Sequence, residues 1–388
     1  MLSGNKGEWA EVYTLIKLLA DGKLYAADEE LEKLEDIFYP IIRIIRDEII
    51  DKNTLSHKEY EFGNSIKIYE EYSNKPIVEI PKELLSKEKL RFFDLIKGGK
   101  GKSFKLPESE ELLESLKINK LKAKSLDKAD IKIIVHDLNT GKKPELGFSI
   151  KSLIGKDSTL FNPGPGTNFI YKITPPDGSQ LDITEINKSS LQEASHKNSK
   201  ITLRIKKLLE KGCEINFHRI QSENLNLNLS LIDSRLPEIL SFLLFYKYLF
   251  QENSLSNLCD LLNKENPINY NLSKEHPFYK YKIKNFLTDS ALGMTPETKW
   301  EGIYDATGGI ILVKDSGDVL CYHIYNRNQF QKYLFTHTRL EQAATGEDKD
   351  NPGNISPNPK SKKFYFGWIY EEKNEYFIKL NLQVRFKK

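Results

Sequence analysis

The pattern of apolar and polar residues at the start of the chain predicts an amphipathic helix. Apolar residues recur at helical spacing until Asp21-Gly22, where the pattern stops. Asn5 stands before this run and Glu8 follows Asn5 by three residues, which is the spacing of a capping box. The apolar positions are Val12, Leu15, Ile16, Leu18 and Leu19. We therefore expect a first helix that begins at the Asn5 cap and ends before Gly22.

Three later segments also show helical periodicity. The first covers residues 28–48, where Pro40 is expected to kink or split the helix. The second covers residues 189–211 and ends at Gly212. The third covers residues 236–250 and is so strongly apolar that we assign it to the core.

Residues 130–151 have the pattern of a β-hairpin. Two β-rich runs, residues 131–135 and 146–150, flank the turn-forming residues 139–141. A tight turn centred on Thr140-Gly141 would place Asp130 directly opposite Lys151, with Ser149 on the same face. Pro144 favours a bulge or a longer loop, which would shift this register by one residue.

The last quarter of the chain, from residue 299 onward, is β-rich. Strands are predicted at residues 309–314, 319–325, 364–371 and 376–386, and we expect them to form a mostly antiparallel sheet. With 388 residues, of which 39% are hydrophobic, the chain can form two domains or one elaborated domain. We divide it into a core at residues 1–235, which contains the N-terminal helix and the hairpin, and a helical linker with a β-rich region at residues 236–388.

Two basic loops interrupt these elements. Residues 98–102 are rich in glycine and lysine, and we interpret them as a solvated turn. Residues 342–363 form a long stretch rich in Gly, Asn and Pro with a basic end that includes Lys362. This second loop is predicted either to bind phosphate groups or to be a solvated insertion.

Charge and cysteine content narrow the class of protein only slightly. The 58 basic and 55 acidic residues nearly balance, so the net charge neither requires nor excludes a nucleic-acid partner. No stretch approaches the roughly 18 uninterrupted apolar residues of a membrane helix, and the first residues do not form an apolar signal segment. We therefore expect a cytoplasmic protein without a membrane partner. Its three cysteines are widely spaced and are predicted to be buried reduced thiols.

Asp130 and Lys151 are the candidate catalytic pair. A carboxylate opposite a lysine suits phosphodiester hydrolysis, because the carboxylate can hold Mg²⁺ while the lysine orients or helps to deprotonate the attacking water. Taken alone, the hairpin geometry favours a plain cross-strand ion pair over this interpretation. Residues 6–11 supply a further carboxylate, because Lys-Gly-Glu-Trp-Ala-Glu resembles the Lys-Gly-x-x-x-Glu pattern of nucleases with the PD-(D/E)xK fold. Glu11 is then a metal ligand together with Asp130, and Glu8, which the capping box already explains, ranks second.

Six short segments of the chain together match the pattern of a known family. They are residues 4–9 (Gly-Asn-Lys-Gly-Glu-Trp), 18–25 (Leu-Leu-Ala-Asp-Gly-Lys-Leu-Tyr), 147–152 (Gly-Phe-Ser-Ile-Lys-Ser), 167–171 (Thr-Asn-Phe-Ile-Tyr), 322–326 (Tyr-His-Ile-Tyr-Asn) and 380–386 (Leu-Asn-Leu-Gln-Val-Arg-Phe). On these segments, and over nearly its whole length, the chain resembles the HpaII-type restriction endonucleases. The resemblance implies an α/β (α+β) fold with a PD-(D/E)xK-like mixed sheet flanked by helices and an added β-rich C-terminal DNA-recognition region. It also implies a type II enzyme that uses Mg²⁺ to cut double-stranded DNA at a short GC-rich palindrome such as CCGG. A cognate DNA methyltransferase would act on the same site, with no direct contact implied.

Ser149 departs from the general nuclease pattern, in which an acidic residue stands two positions before the lysine. A hydroxyl is a neutral and weaker metal ligand, so the metal site must recruit Glu11 or Glu8, with Glu145 in reserve, or bind fewer ions. We expect one Mg²⁺. The substitution also motivates an alternative function, a catalytically inactive sequence-specific DNA-binding protein on the same scaffold. An RNA-directed nuclease is less favoured, because no stacking aromatic signature is recognisable.

Candidate DNA contacts come from guanidinium, amide and loop groups. Arginine reads guanine through a bidentate fork, and Asn or Gln reads adenine. Thr159 opens a loop rich in Pro and Gly, extending to residue 171, that could enter a DNA groove. Gln383 and Arg385 are equally consistent with an ordinary amphipathic edge strand. The base-reading candidates are Arg327, Arg339, Arg385, Asn168, Asn326 and Gln383. The palindrome could be cut by a homodimer or by successive monomer encounters.

Overall fold

Helices and strands alternate along the chain in the computed structural model, which describes residues 1–49, 55–70, 73–122, 129–138, 140–155, 157–195, 198–343 and 366–387. The helices of this part are α1 (Lys6–Asp21), α2 (Lys82–Gly98), α3 (Glu110–Ser115), α4 (Ile183–Gln192), α5 (Lys200–Glu210), α6 (Glu223–Ile232), α7 (Leu236–Leu249), α8 (Leu255–Glu265), α9 (Phe278–Leu292) and α10 (Arg327–Thr336). The strands are β1 (Ser3–Gly4), β2 (Lys23–Ala27), β3 (Lys33–Ile49), β4 (Leu55–Phe62), β5 (Ser65–Glu70), β6 (Val78–Pro81), β7 (Phe104–Lys105), β8 (Ile131–Val135), β9 (Glu145–Ser152), β10 (Thr159–Phe161), β11 (Asn168–Thr174), β12 (Glu214–Ile220), β13 (Gly309–Val313), β14 (Val319–His323), β15 (Thr338–Leu340), β16 (Ile369–Glu372), β17 (Glu375–Asn381) and β18 (Val384–Phe386).

The first helix is confirmed together with its cap. The side chain of Asn5 accepts hydrogen bonds from the N–H groups of Gly7 (2.8 Å) and Glu8 (3.1 Å). The Glu8 carboxylate accepts from the N–H of Asn5 (2.8 Å), which completes the capping box. Gly22 ends the helix with a φ of 67°, a left-handed conformation that glycine adopts without strain.

The helix predicted at residues 28–48 is wrong, because most of this segment is the long strand β3. Its isoleucines at positions 41, 44 and 45 are β-branched, which favours a strand. Pro40 would have removed a hydrogen bond inside a helix, but in the strand it simply lies opposite Lys23 of β2. The predicted helix at residues 189–211 is divided into α4 and α5, whereas that at residues 236–250 is confirmed as α7.

A mixed nine-stranded sheet forms the centre of the fold, in the order β2-β14-β13-β9-β8-β3-β4-β5-β6, and β2 also pairs with β3. β13 runs parallel to β9 and β14 runs parallel to β2, while the other pairs are antiparallel. Side chains alternate between two cores along β13. Ile311 and Val313 pack with α1 and α2, whereas Ile310 and Leu312 pack with α9 and α10. The expected α/β class, with helices on both sides of a mixed sheet, is confirmed.

The predicted division at residue 235 does not follow the sheets. β13 and β14, from the second predicted domain, are central strands of the nine-stranded sheet. β11, from the first, pairs with β17 in a four-stranded sheet of order β12-β11-β17-β16. The β-rich last quarter is therefore shared among several sheets, including the small sheet β10-β18-β15, and α10 interrupts it. The paired strands are far apart in the sequence, so local sequence patterns did not indicate that they would pair.

Cys213, Cys259 and Cys321 are all buried and unpaired, as predicted. Among the helices described, none combines the length and apolar character needed to span a bilayer.

Candidate active site

Asp130, Ser149 and Lys151 meet at one end of the β8–β9 hairpin. Lys151 donates a hydrogen bond from Nζ to Oγ of Ser149 across 2.7 Å. Ser149 donates from Oγ to Oδ2 of Asp130 across 3.2 Å. The serine hydroxyl thus bridges the lysine and the carboxylate, and the structure brings together the three hairpin residues that the sequence singled out.

The register of the hairpin differs from the predicted one by two residues. Ile131 lies opposite Phe148, and the same ladder extended by one step sets Asp130 opposite Ser149 rather than Lys151. The tight turn at Thr140-Gly141 is also wrong, because the connection runs from residue 136 to residue 144. Side chains alternate with a period of two, so a shift of two residues leaves all three side chains on one face. Asn139, assigned to the turn, lies outside the described residues.

Backbone atoms of β9 hold the Asp130 carboxylate in place. The N–H of Ile150 donates to Oδ2 across 2.6 Å, and the N–H of Asp130 donates to the carbonyl of Phe148 across 2.8 Å. Among the described residues, both hydrogen bonds to the carboxylate end on Oδ2, which leaves Oδ1 for a ligand. Because the N–H and C=O of one strand residue point to the same edge, the carbonyl of Ile150 also projects toward β8, beyond its first residue. Lys151 Nζ lies 3.3 Å from that carbonyl oxygen.

The sequence interpretation missed the Ile150 carbonyl. Every residue has a backbone oxygen, so no residue type in the sequence marks this one. Only the structure shows that β8 begins at Ile131 and that the oxygen therefore lies beyond the β8–β9 ladder. On the β13 side the neighbours are apolar, since Ile310 lies beside Ser149 and Leu312 lies beside Lys151. Ser149 itself is only 1% exposed, whereas Lys151 is half-buried. A charged substrate there would meet few competing waters.

The N-terminal glutamates are placed by α1. α1 packs in the same core as Phe148 and Ile150, which alternate along β9 with Ser149 and Lys151, so the body of this helix lies on the opposite face of the sheet. Glu8 is engaged in the capping box. Glu11 is partly buried, and its Oε2 is shielded from solvent. Among the described residues, no group of three or more His, Cys, Asp or Glu side chains is arranged to hold a metal ion.

The candidate base readers fall into two groups. Asn168 is fully buried: its Nδ2 donates to Gln221 (3.1 Å) and its Oδ1 accepts from Asn381 (2.7 Å), so it presents no free amide edge. Arg339 is held by the carboxylates of Asp157 (2.8 Å) and Glu341 (2.9 Å). By contrast, Arg327 is exposed, and Asn326 just before it is partly exposed. Gln383 is 8% exposed, and Lys362 lies outside the described residues.

Thr159 and Arg385 lie opposite each other across β10 and β18 and border a cavity of about 830 Å³. The cavity opens at the end of β9, since Ser152 is part of its wall. The sequence interpretation assigned both residues to DNA but did not connect them with the first helix or with the loop at residues 98–102. The lining residues are Asn5, Lys6, Gly7, Gly99, Gly101, Lys102, Ser152, Ile154, Gly155, Asp157, Ser158, Thr159 and Arg385.

His323 is a core residue on the α1 side of the sheet and does not join Asp130. It is 1% exposed and stacks on Tyr39, with ring centroids 4.7 Å apart. Its Nδ1 accepts from the N–H of Tyr325 (3.1 Å), and Nε2 has no hydrogen-bond partner in the part of the chain that the structure describes. Burial lowers the pKa of His323 to about 4, so its ring is neutral at pH 7.

Comparison with known proteins shows similarity over nearly the whole chain. The family model of the HpaII restriction endonuclease matches residues 5–386. The chain is also similar to the type II restriction enzyme HpaII of Haemophilus parainfluenzae, with 38% identity over 390 residues, 99% of this chain and 98% of the relative. No solved structure matches the chain.

Proposed function

Because the chain belongs to the HpaII restriction endonuclease family, we propose that it cuts duplex DNA at a short GC-rich palindrome of the CCGG type by Mg²⁺-dependent hydrolysis. It is an enzyme, a type II site-specific deoxyribonuclease. The observation that carries the proposed chemistry is the contact between Asp130, Ser149 and Lys151 at one end of the hairpin. Together they supply an acid, a bridging hydroxyl and a cation beside a position for a phosphate.

The donor set suits Mg²⁺, which prefers oxygen ligands and retains several waters. Oδ1 of Asp130 and the carbonyl oxygen of Ile150 would hold the ion. Both hydrogen bonds from described residues to the carboxylate end on Oδ2, which leaves Oδ1 for a ligand, and the Ile150 carbonyl projects past the start of β8. When bound, Mg²⁺ offsets the negative charge that builds up on the phosphate and favours ionisation of a coordinated water. Ser149 Oγ is a weaker neutral oxygen, which supports a role in holding Asp130 and Lys151 in position.

Glu11 stays our prediction for a further metal carboxylate, with Glu8 second. The first turn of α1 reaches the end of β9, since Asn5, Lys6 and Gly7 share a cavity with Ser152. A carboxylate one turn further along α1 would therefore have to reach around the end of β9 to meet Asp130. Among the proposed metal ligands, Glu11 is the one that belongs to a helix on the opposite face of the sheet.

Lys151 would act on the attacking water and on the phosphate. Its ammonium is held by Ser149 Oγ and lies 3.3 Å from the Ile150 carbonyl, so its position is determined before DNA binds. From there it can orient the water for in-line attack and donate a hydrogen bond to a phosphate oxygen as negative charge develops. Asp130 accepts a hydrogen bond from Ser149 Oγ and so helps to hold the hydroxyl that positions Lys151.

Recognition of the palindrome is proposed for the exposed side chains Arg327 and Asn326, with Thr159 and Arg385 near the cleavage site. A palindrome presents two equivalent scissile phosphates, which suits a homodimer with one active site for each strand. A cognate methyltransferase would protect the same sequence in the host DNA in the cytoplasm.

The test is incubation of the protein with a plasmid that carries one CCGG sequence, with and without Mg²⁺. We expect one linear product, and sequencing of its ends should place both cuts within that sequence. A plasmid in which this CCGG is altered by one base pair should stay intact. Retarded but uncut DNA in Mg²⁺ would contradict the proposed chemistry and leave a DNA-binding protein without nuclease activity.

A further inference from the structure

We propose that the cavity at the start of α1, which we call the anion cavity, binds a backbone phosphate of the DNA next to the one that is cut. The ligands would be Lys6, Lys102 and Arg385, and the inference rests on the proposed function. It reassigns Arg385 from base reading to phosphate binding. Lys6 and Lys102 gain a role that the sequence pattern did not suggest.

The anion cavity lies beside the catalytic hairpin. Ser152 in its wall directly follows Lys151, and β9 ends there. Asp130 precedes the antiparallel strand β8, so it marks the same end of the hairpin. At about 830 Å³, the cavity is far larger than a single phosphate ion and can admit a length of sugar–phosphate backbone. A strand whose scissile phosphate meets Lys151 would therefore have a neighbouring phosphate within reach of this cavity.

The cations that line the anion cavity are not neutralised by the protein. No carboxylate lies within 4.0 Å of Lys6, Lys102 or Arg385 among the residues that the structure describes. Asp157 also lines the cavity, but Arg339 engages its carboxylate at 2.8 Å. Three like charges around one cavity repel each other, and a bound anion would relieve that repulsion.

Lys6 is held toward the cavity by its surroundings. Its Nζ donates to the carbonyl of Lys97 across 2.8 Å, which leaves further ammonium protons for a ligand. Its aliphatic stem crosses Gly155, where a Cβ would come within 2.9 Å of it. Gly155 also has a φ of 80°, so glycine serves both the backbone conformation and the passage of Lys6.

The loop at residues 98–102, which we predicted to be a solvated turn, packs on Phe104, and Phe104 packs on α1. A Cβ on Gly99 would lie 2.3 Å from the Phe104 ring, so only glycine permits this approach. Phe104 in turn stacks on Trp9 with centroids 6.2 Å apart and accepts a hydrogen bond from Trp9 Nε1 across 3.2 Å. This packing presents Lys102 to the cavity, while Lys100 in the same loop is exposed elsewhere.

Arg385 supplies the third cation from a rigid position. It is the middle residue of β18, paired with Thr159 on one side and Arg339 on the other. Its Nε is shielded from solvent and has no hydrogen-bond partner in the described part of the chain, in contrast to the engaged guanidinium of Arg339. A guanidinium with unused donors at a cavity wall is suited to a phosphate, which can accept two of them.

The test measures binding, without Mg²⁺, of short duplexes with one CCGG site and a single neutral methylphosphonate moved stepwise along each strand. For the unmodified protein we expect one position beside the scissile phosphate at which neutralisation weakens binding roughly 5- to 20-fold. Lys102→Ala and Arg385→Ala should weaken binding to the all-phosphate duplex by a similar factor. They should also reduce the slope of log K against log salt by about 0.9. Lys100→Ala, the same change two residues away, should leave both quantities unchanged.

The decisive result is reduced coupling. Each variant should respond less than the unmodified protein to the methylphosphonate at that position, because one of the three cations around that phosphate is gone. Each should respond as before at other positions and still prefer CCGG. Full sensitivity in both variants would overturn the proposal, as would an equal effect of Lys100→Ala. Loss of CCGG preference in Arg385→Ala would return Arg385 to base reading. Stabilisation of the protein by inorganic phosphate without any methylphosphonate effect would make the cavity a free-anion site. Failure of the unmodified protein to bind DNA would instead contradict the proposed function. Melting temperatures equal to that of the unmodified protein would show that the variants are folded.

Discussion

The backbone N–H of Ile150 donates a 2.6 Å hydrogen bond to Oδ2 of Asp130. This bond joins the acid that precedes β8 to the strand that carries the lysine, midway between Ser149 and Lys151. Because the donor is a main-chain group, the orientation of the carboxylate depends on where β8 begins and not on the side chain at position 150. Among the described residues, both hydrogen bonds to this carboxylate end on Oδ2, which leaves Oδ1 for a metal ion.

Replacement of Lys151 should separate cutting from binding. Lys151→Ala removes the cation next to the proposed scissile phosphate, so we expect the single-turnover cleavage rate to fall by roughly 10²- to 10³-fold or more. DNA affinity, measured by gel retardation without Mg²⁺, should change by less than about 10-fold, because one charge among many phosphate contacts is lost. Lys151→Arg keeps the charge and should retain more activity than Lys151→Ala. Undiminished cutting by Lys151→Ala would refute the assigned role.

Asp130→Asn should weaken metal use rather than folding. The amide oxygen can still accept from the N–H of Ile150, but the negative charge at Oδ1 is lost. We expect the Mg²⁺ concentration for half-maximal cleavage to rise by about 10-fold or more, with a lower maximal rate. Titration of Mg²⁺ against the cleavage rate measures both quantities.

Two comparison variants test whether this effect is specific to Asp130. Glu145→Gln removes an exposed acid on the same face of β9, four residues before Ser149, and should leave the Mg²⁺ dependence unchanged. Ser149→Ala removes one bridging hydroxyl and should slow cleavage by only about 2- to 10-fold. A far greater loss in Ser149→Ala would make the hydroxyl a metal ligand.

A buried ion cluster should govern the stability of the sheet. Glu48 is fully buried and accepts from Arg46 Nε and Lys58 Nζ, each at 3.0 Å, and from the N–H of Asn119 at 3.0 Å. Glu48→Gln leaves two buried cations without a countercharge, so we expect the free energy of unfolding to fall by about 3–5 kcal/mol. Urea denaturation measures this change. Glu61→Gln disrupts a partly exposed pair with Arg43 and should cost about 0–1 kcal/mol, and equal losses in the two variants would count against the cluster.

His323 should make stability depend on pH in the acidic range. Burial lowers its pKa from 6.5 to about 4, so between these values the unfolded chain binds a proton that the folded chain does not. The stabilising contribution is therefore complete above pH 6.5 and is lost as the pH falls toward 4, by on the order of 3 kcal/mol. His323→Phe keeps the stacking on Tyr39 but cannot titrate, so its unfolding free energy should fall less over this range. Parallel curves for the two proteins from pH 7 to pH 4 would contradict this account.

What the sequence determined by itself was local. The Asn5–Glu8 cap, the end of α1 at Gly22, the apolar helix α7 and the shared face of Asp130, Ser149 and Lys151 all follow from spacings of a few residues. The same local patterns failed at β3, where helical spacing of apolar residues competed with β-branching and a proline. The hairpin register also shifted by two residues, because loop length rather than residue type sets it.

Only the tertiary structure decided which distant segments meet. β13 joins β9, Arg339 is paired with Asp157, Asn168 is buried against Asn381, and Lys6, Lys102 and Arg385 surround one cavity. None of these partners shares a local pattern, since each contact joins residues far apart in the chain. The physical reason is that each buried or charged group finds its partners in the packed core as a whole. Periodicity along a single segment describes only that segment and does not indicate its partners.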